Sequence, residues 1–322
     1  MTRITARRIT GCIVALGLVL TMGACSVVKP SEDPTPEVDP RAFNPPPDSP
    51  ELDAIVVEGG YGEAPTVTVP APWTTNTTYS RNLVQGTGTA ARDIGFVKVH
   101  YTGVNARTGK VFDSSWDRGK PTSFSLLQVV PGFQKGLAGQ QVGTRVLLAI
   151  TGADGYDSSG GNEDAGIEYG DSLIFVIDIL QVDEDVEVTD TALPTVTGPF
   201  DEPVVTIPTG AAPPSELVVQ PLLTGAGDEI TAQDYLMVDY AEYMWSSGKL
   251  VRQTYGFQPK ADFLANGLDG WGEGLVGVTT GSRVLLVVPP DLAYPDGNPD
   301  QDIPKGATMV YVIDILASVT YA

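Results

Sequence analysis

The sequence predicts two tandem domains of one design, each mostly β-strand with a single short helix. Four segments recur in the same order. PTVTVP at Pro65–Pro70 matches PVVTIP at Pro203–Pro208, and VKVHYTG at Val97–Gly103 matches LMVDYAE at Leu236–Glu242. VPGFQKGLAGQQVGTRVLLAI at Val130–Ile150 matches LDGWGEGLVGVTTGSRVLLVV at Leu268–Val288, and SLIFVIDIL at Ser172–Leu180 matches TMVYVIDIL at Thr308–Leu316. The offsets are 138, 139, 138 and 136 residues, as an internal duplication requires. The length of 322 residues accommodates about two domains. Thirty-six glycines and 26 prolines favour strands and turns over long helices.

The first 24 residues have the three parts of a secretory signal peptide. Arg3, Arg7 and Arg8 are its charged region, and Ile13 to Leu20 form an apolar run too short for a comfortable membrane span. Cys25 follows LTMGA, and LTMGAC resembles a bacterial lipobox. That resemblance implies cleavage before Cys25 and lipid attachment to it. An ordinary signal peptide with a coincidental cysteine is the simpler alternative. Cys12 lies inside the leader, so Cys25 would be the lone mature cysteine and no intramolecular disulfide is expected.

Residues 25–51 then read as a lipidated, proline-rich tether. Lys29 to Pro50 holds eight prolines in 22 residues and favours extended polyproline conformation. The net charge is −21; without the leader arginines it is nearer −24, 40 acids against 16 bases. That balance argues against nucleic-acid binding and against electrostatic adhesion to anionic lipid.

Within the first unit, Val97, Val99 and Tyr101 alternate with Lys98, His100 and Thr102, the period of a half-buried strand. Asn105 to Gly109 is turn chemistry. A helix is expected from Gly132 to about Gln140, with Phe133 and Leu137 on one face, and its counterpart from Gly270 to about Gly277. Gly143 and Gly281 fit the turn that follows. RVLLAI, RVLLVV and LIFVIDIL read as strands. His100, the chain's one histidine, alternates away from the apolar face and is expected to face solvent.

The run VKVHYTGVNARTGKVFDSSWDRGKPTSF closely resembles the FKBP family of peptidyl-prolyl cis-trans isomerases, through V-x-V-H-Y-T-G followed by G-K-x-F-D-S-S. The resemblance covers roughly Leu83–Val182 and, more weakly, Val218–Val319. It implies an α+β fold: two tandem FKBP-like domains, each an antiparallel β-sheet half-barrel wrapped around one short helix. The bounds are 52–182 for the first domain, 183–197 for an acidic linker and 198–322 for the second.

It also implies catalysis by Tyr101, Phe112, Asp113, Phe133, Tyr156 and Phe175, with Arg118, Phe124, Val129, Val130 and Ile167 binding substrate. Tyr101, Phe112 and Phe175 would wall a proline ring, with Phe133 as floor where many relatives carry tryptophan. Asp113 would orient the polar side and pair with Arg118 and the Tyr101 hydroxyl. The Tyr156 hydroxyl and the Val130 N–H would bond substrate carbonyls. Taken singly, the phenylalanines read as core and Asp113 as a turn cap; the joint spacing favours a site.

The chain departs from the family pattern at three places in this domain. Thr122 stands where a second aromatic is frequent, GADGYDS retains only Tyr156 of the usual motif, and the loop DSSGGNEDAGIEYGD is acidic and glycine-rich. In the second domain, Tyr240, Leu268, Trp271, Tyr294, Ile303 and Tyr311 match cleft positions, but Phe-Asp has become Val251-Arg252. An aromatic wall is lost and a base replaces the acid, so weak or absent isomerase activity is expected there.

Two further motifs carry little. Gly272 to Gly277 spells G-x-G-x-x-G outside any βαβ context. Asp296 to Asp302 has alternate oxygen donors but lacks the glycine and glutamate of a calcium loop. No metal and no cofactor is expected.

The leading expectation is a monomeric, membrane-anchored extracytoplasmic lipoprotein that isomerises X-Pro bonds of exported, proline-containing polypeptides. A non-enzymatic chaperone or peptide-binding lipoprotein is the alternative, and a surface lipoprotein using the fold as scaffold is a third. The anchor is tested by lipid labelling in cells. Cys25→Ser is expected to abolish incorporation of labelled lipid, and a variant that still takes up label overturns the assignment.

Overall fold

The computed structural model describes residues 46–320. The leader, Cys25 and most of the proline-rich stretch lie outside the described residues. The first copy runs β1 (Val56–Glu58), β2 (Thr66–Thr68), β3 (Tyr79–Val84), β4 (Phe96–Asn105), β5 (Lys110–Ser114), β6 (Thr122–Ser125), α1 (Pro131–Leu137), β7 (Arg145–Ile150), β8 (Gly161–Asn162), β9 (Ile167–Glu168) and β10 (Leu173–Val182). The second runs β11 (Glu184–Asp185), β12 (Thr195–Thr197), β13 (Val204–Thr206), β14 (Val218–Thr224), β15 (Asp234–Met244), β16 (Leu250–Gln253), β17 (Lys260–Phe263), α2 (Asp269–Leu275), β18 (Arg283–Val288) and β19 (Met309–Thr320).

Each copy is built on an antiparallel sheet with β10 or β19 at its centre. The strand orders are β3-β7-β10-β4-β5 and β11-β14-β18-β19-β15-β16; β6 pairs with β4 and β17 with β15. The sequence shows why the central strands sit there. β7 and β18 are buried at every residue, and β10 from Leu173 to Ile179. A strand covered on both faces reads as a continuous apolar run rather than an alternation.

On one face lies the short helix, with Phe133 and Leu137 in the core among Val97, Val99, Leu148 and Ile177. On the other lies the small β1–β2 hairpin. There Leu52, Ile55 and Val69 pack with Val104, Leu147, Ile174 and Val176. The β12–β13 hairpin repeats this cover in the second copy, packing Val196 and Val205 on Leu285, Val287, Val310 and Val312.

Both helices are one residue short of eight and lie tight against a strand. A Cβ on Gly132 would approach Ile150 Cγ2 to 2.4 Å, and one on Gly136 would approach Leu148 Cδ2 to 2.5 Å. Glycine at these two positions lets the helix seat Phe133 deeply. The helix stops at Leu137 and not near Gln140, because Gly139 turns the chain with a φ of 73°. The literal G-x-G-x-x-G stretch is the same helix end in the second copy, where Gly277 has a φ of 85°.

A buried arginine–aspartate pair recurs at equivalent positions. Arg145 Nε and Nη2 donate to Asp178 Oδ1 and Oδ2 at 2.5 and 2.7 Å, both side chains 1% exposed. The same guanidinium donates to the carbonyls of Gly59 and Glu63, at 2.8 and 2.6 Å, in the turn joining β1 to β2. In the second copy Arg283 pairs with Asp314, bonds the Phe200 carbonyl and lies 4.0 Å from that residue's ring centre.

The acidic connector is part of the architecture. Glu184 and Asp185 pair with Thr224 and Leu223 at the edge of the second sheet. Asp183 accepts the Phe96 N–H at 2.8 Å from the first copy and the Ala226 N–H at 2.9 Å from the second. Upstream, Pro46 and Pro47 carbonyls accept bonds from Ser80, and Arg81 donates to Asp48 and Asp53.

Burial pushes the Asp183 carboxyl up to about 6, against its two amide donors and the nearby Arg92. The folded protein therefore holds this proton more tightly than the unfolded chain. The stabilisation linked to it is complete below about pH 4 and is lost as pH rises through about 6, roughly 3 kcal/mol at most. Denaturant unfolding at stepped pH should show Asp183→Asn flattening that decline. Parallel profiles for variant and parent overturn the assignment.

Candidate functional site

The two clefts grow from one irregularity in strand pairing. Along β4 and β5, Gly103 faces Asp113 but Val104 faces Val111, so Phe112 is an extra, bulged residue. A bulge re-aims side chains that strict alternation would send to opposite faces. Phe112 and its neighbour Asp113 both reach the same cleft here. The second copy keeps the bulge: Glu242 faces Arg252 and Tyr243 faces Leu250, leaving Val251 extra.

In the first copy all the predicted side chains come together. Tyr101, Phe133, Ile167 and Phe175 are buried in one cluster, and Phe112, Phe124, Val129, Val130 and Tyr156 pack against it half-buried. The rings form a cup. Phe133 stands edge-on to Phe175 at 5.3 Å and to Phe124 at 5.4 Å, and Phe112 stands edge-on to Phe175 at 5.6 Å. Tyr101 completes it, 6.3 Å from Phe175 and 6.5 Å from Phe133. Such edge-to-face contacts fix ring orientation as well as burying area.

The polar rim is compact. The Tyr101 hydroxyl donates to Asp113 Oδ2, and Arg118 Nη1 donates to Asp113 Oδ1. Arg118 Nη2 donates to the Tyr101 oxygen at 2.9 Å and to Thr122 Oγ1 at 3.2 Å. Thr122, a departure from the family pattern, thus serves as an acceptor. Burial, reinforced by the bond to Asp113, pushes the Tyr101 phenol up to about 12.

The acidic loop folds as the β8–β9 hairpin and puts Ile167 into the cluster. Part of its charge turns inward. Asp171 accepts from Arg107 Nε and Asn105 Nδ2, each at 2.7 Å, and Arg107 also meets Glu168 at 3.0 Å. Burial pushes the Asp171 carboxyl up, but the Arg107, Glu168 N–H and Asn105 bonds outweigh it and hold it low.

His100 is not freely solvent-facing. It is on the other face, stacked under Trp116 at 3.9 Å with Nδ1 3.0 Å from Ser115 Oγ, and burial lowers its pKa.

The second copy also assembles its predicted residues. Tyr240, Trp271, Ile303 and Tyr311 are buried in one cluster, with Leu268, Tyr294 and Val251 packed against it. Trp271 is edge-on to Tyr240 at 5.2 Å and to Tyr311 at 5.6 Å. The expectation of a cleft without an acid is corrected. Glu242 supplies one, fully buried, accepting the Tyr311 hydroxyl at 2.7 Å and the Tyr294 hydroxyl at 3.0 Å. Its other oxygen takes Arg252 Nη2 at 3.0 Å. Burial, then the Glu242 charge, push the Tyr294 phenol up to about 12.

The exchange has a steric cause. Glu242 occupies the position of Gly103 in the first copy. A Cβ on Gly103 would lie 2.7 Å from Phe112 Cζ and 2.9 Å from Phe175 Cε1. The ring of Phe112 packs where a side chain at 103 would lie, and glycine leaves that space open. With valine in place of that ring, the space admits a glutamate, and the base at Arg252 pairs with it. The signal was present in the duplicated segment, where VKVHYTG ends in glycine and LMVDYAE in glutamate.

The family model for FKBP-type peptidyl-prolyl cis-trans isomerases matches residues 88–180 and again residues 227–316. A probable FK506-binding protein of Corynebacterium glutamicum is 39% identical over 99 residues, which are 31% of this chain and 81% of that protein. An FK506-binding protein of Streptomyces anulatus is 40% identical over 106 residues, 32% of this chain and 83% of that protein. A probable FKBP-type peptidyl-prolyl cis-trans isomerase of Haemophilus influenzae is 39% identical over 97 residues, 30% of this chain and 39% of that protein.

Gly103→Ala is expected to overpack the cup and lower stability by about 1–3 kcal/mol in denaturant unfolding. An unchanged midpoint would show that Phe112 and Phe175 can move apart, and that the cup is not fixed by this contact.

Proposed function

Because the chain belongs to the FKBP-type peptidyl-prolyl cis-trans isomerase family, we propose that its first domain isomerises X-Pro bonds in the aromatic cup around Phe133. The observation that carries this is the closed hydrogen-bonded rim of Tyr101, Asp113 and Arg118 beside the edge-to-face rings of Phe112, Phe124, Phe133 and Phe175.

The reaction needs no nucleophile. Its barrier is amide resonance, about 18–20 kcal/mol. At the transition state the amide is twisted, conjugation is lost and the carbonyl is less dipolar. An apolar, aromatic cleft disfavours the planar, dipolar ground state more than the twisted form, which is differential binding. Phe112, Tyr101 and Phe175 wall the proline ring and Phe133 floors it. Asp113, held by Arg118 and Tyr101, fixes the polar side of the cleft. The Tyr156 hydroxyl and the Val130 N–H hold substrate carbonyls on the twisted path.

The proposal includes the setting read from the leader: a lipid anchor at Cys25 and exported, proline-containing polypeptides as substrates. In the second domain the pair of buried Glu242 and half-exposed Arg252 replaces this rim, which supports binding without efficient isomerisation there.

The test is acceleration of X-Pro exchange in a short peptide by the full chain. Asp113→Ala and Tyr156→Phe are each expected to lower kcat/KM about ten-fold, equivalent to about 1.4 kcal/mol of transition-state stabilisation. If both variants retain the parent rate, the cup is not the reacting site. If the parent gives no acceleration yet retains unfolded chains, the non-enzymatic chaperone reading replaces this one.

A further inference from the structure

The second cleft presents a more basic face than the first, independently of what the first domain catalyses. It is a cavity of about 230 Å³ over the Trp271 ring, walled by Tyr240, Leu268 and Tyr311. Two cations, Arg252 and Lys260, are among its lining residues, and no carboxylate is.

The reason is the depth of the two partners. Glu242 is 0% exposed, saturated by two phenols and a guanidinium, whereas Arg252 is 44% exposed. The acid neutralises the pair from below and the guanidinium faces outward. In the first cleft Asp113 and Arg118 are 40% and 41% exposed, so acid and base are shown equally. The Lys260 ammonium meets Asp262 at 3.3 Å, and that carboxylate is not among the lining residues.

The hydrogen bonds of Arg252 use Nε and Nη2, toward Glu242 and Tyr294. A guanidinium has five N–H donors in a planar fork, so the Nη1 group remains to meet a carboxylate. The tryptophan floor adds a second polar feature. Among the described residues its buried Nε1–H has no hydrogen-bond partner.

Resting on the reading of the second domain as a prolyl-binding module, we propose that its cleft selects acidic prolyl peptides. An apolar ring seats on Trp271, and the carboxylate of the residue before it bonds to Arg252. A lysine in that place meets a guanidinium instead, and like charges repel.

The experiment titrates the full-length protein with acetyl-Ala-Glu-Pro-Phe-amide and with its Lys-Pro counterpart, following indole N–H resonances. The Trp271 signal is identified by its loss in Trp271→Phe. The Glu-Pro peptide should shift that signal with about five-fold tighter affinity, the upper range for a solvent-accessible charge contact. Arg252→Gln should equalise the two peptides while the free-protein spectrum keeps its folded dispersion. A Trp271 signal unmoved by both peptides overturns the site. Equal affinities in the parent, or a preference that survives Arg252→Gln, overturns the charge selection. The readout is local to the second cleft, so a failure of isomerase activity in the first domain would not produce either result.

Discussion

A buried arginine–aspartate pair holds each copy together from the sheet outward. Arg145 and Asp178 sit in adjacent central strands with almost no solvent contact. Two bare charges there would be costly, and their attraction alone does not offset desolvation. The remaining donors solve this by reaching the Gly59 and Glu63 carbonyls, while Asp178 takes the Gly62 N–H at 2.8 Å. The pair therefore straps the β1–β2 hairpin across the sheet. With one face sealed, the central strands can be apolar on both sides and the other face is free to hold a helix and a cleft. Arg283 and Asp314 do the same in the second copy through Phe200.

On that common frame the two clefts differ by a coupled exchange. The bulge, the short helix and the central strands are kept. The ring at position 112, the glycine it packs against and the acid beside it are replaced in the second copy by valine, glutamate and arginine. Each cleft keeps one acid–base pair, Asp113–Arg118 in the first and Glu242–Arg252 in the second. Accessibility is not conserved: the first pair lies at the surface and the second has its acid beneath its base. Chemistry at the mouth follows from depth as much as from residue type.

The fold was largely legible because its signals are local and repeated. Alternation in β4, continuous apolar runs in β7 and β10, and constant offsets all survive in the linear chain. The aromatic members of both clefts were legible through motif spacing. The bulge was not, since nothing at Phe112 distinguishes an extra residue from an ordinary one until the partner strand is placed. Glu242 was missed for a related reason: its importance lies in what Gly103 leaves empty, and an empty space has no letter. The two buried arginines stood in plain view at the heads of RVLLAI and RVLLVV, but their partners and the hairpins they hold lie about 30 to 90 residues away. In sequence the connector is only an acidic linker, with no structural part of its own. Instead Asp183 joins amides from both copies.

The glycine-for-glutamate exchange also constrains how such a duplicated pair can change over time. Starting from the second copy, restoring Phe at 251 first would crowd Glu242. Removing Glu242 first would strand Arg252 beside two phenols that have lost their acceptor. Replacing Arg252 first with aspartate would set two acids together. Each single step descends before the third recovers, so the substitutions are strongly non-additive. The two clefts are therefore alternative solutions on one frame, and a hybrid of the two is expected to be less stable than either.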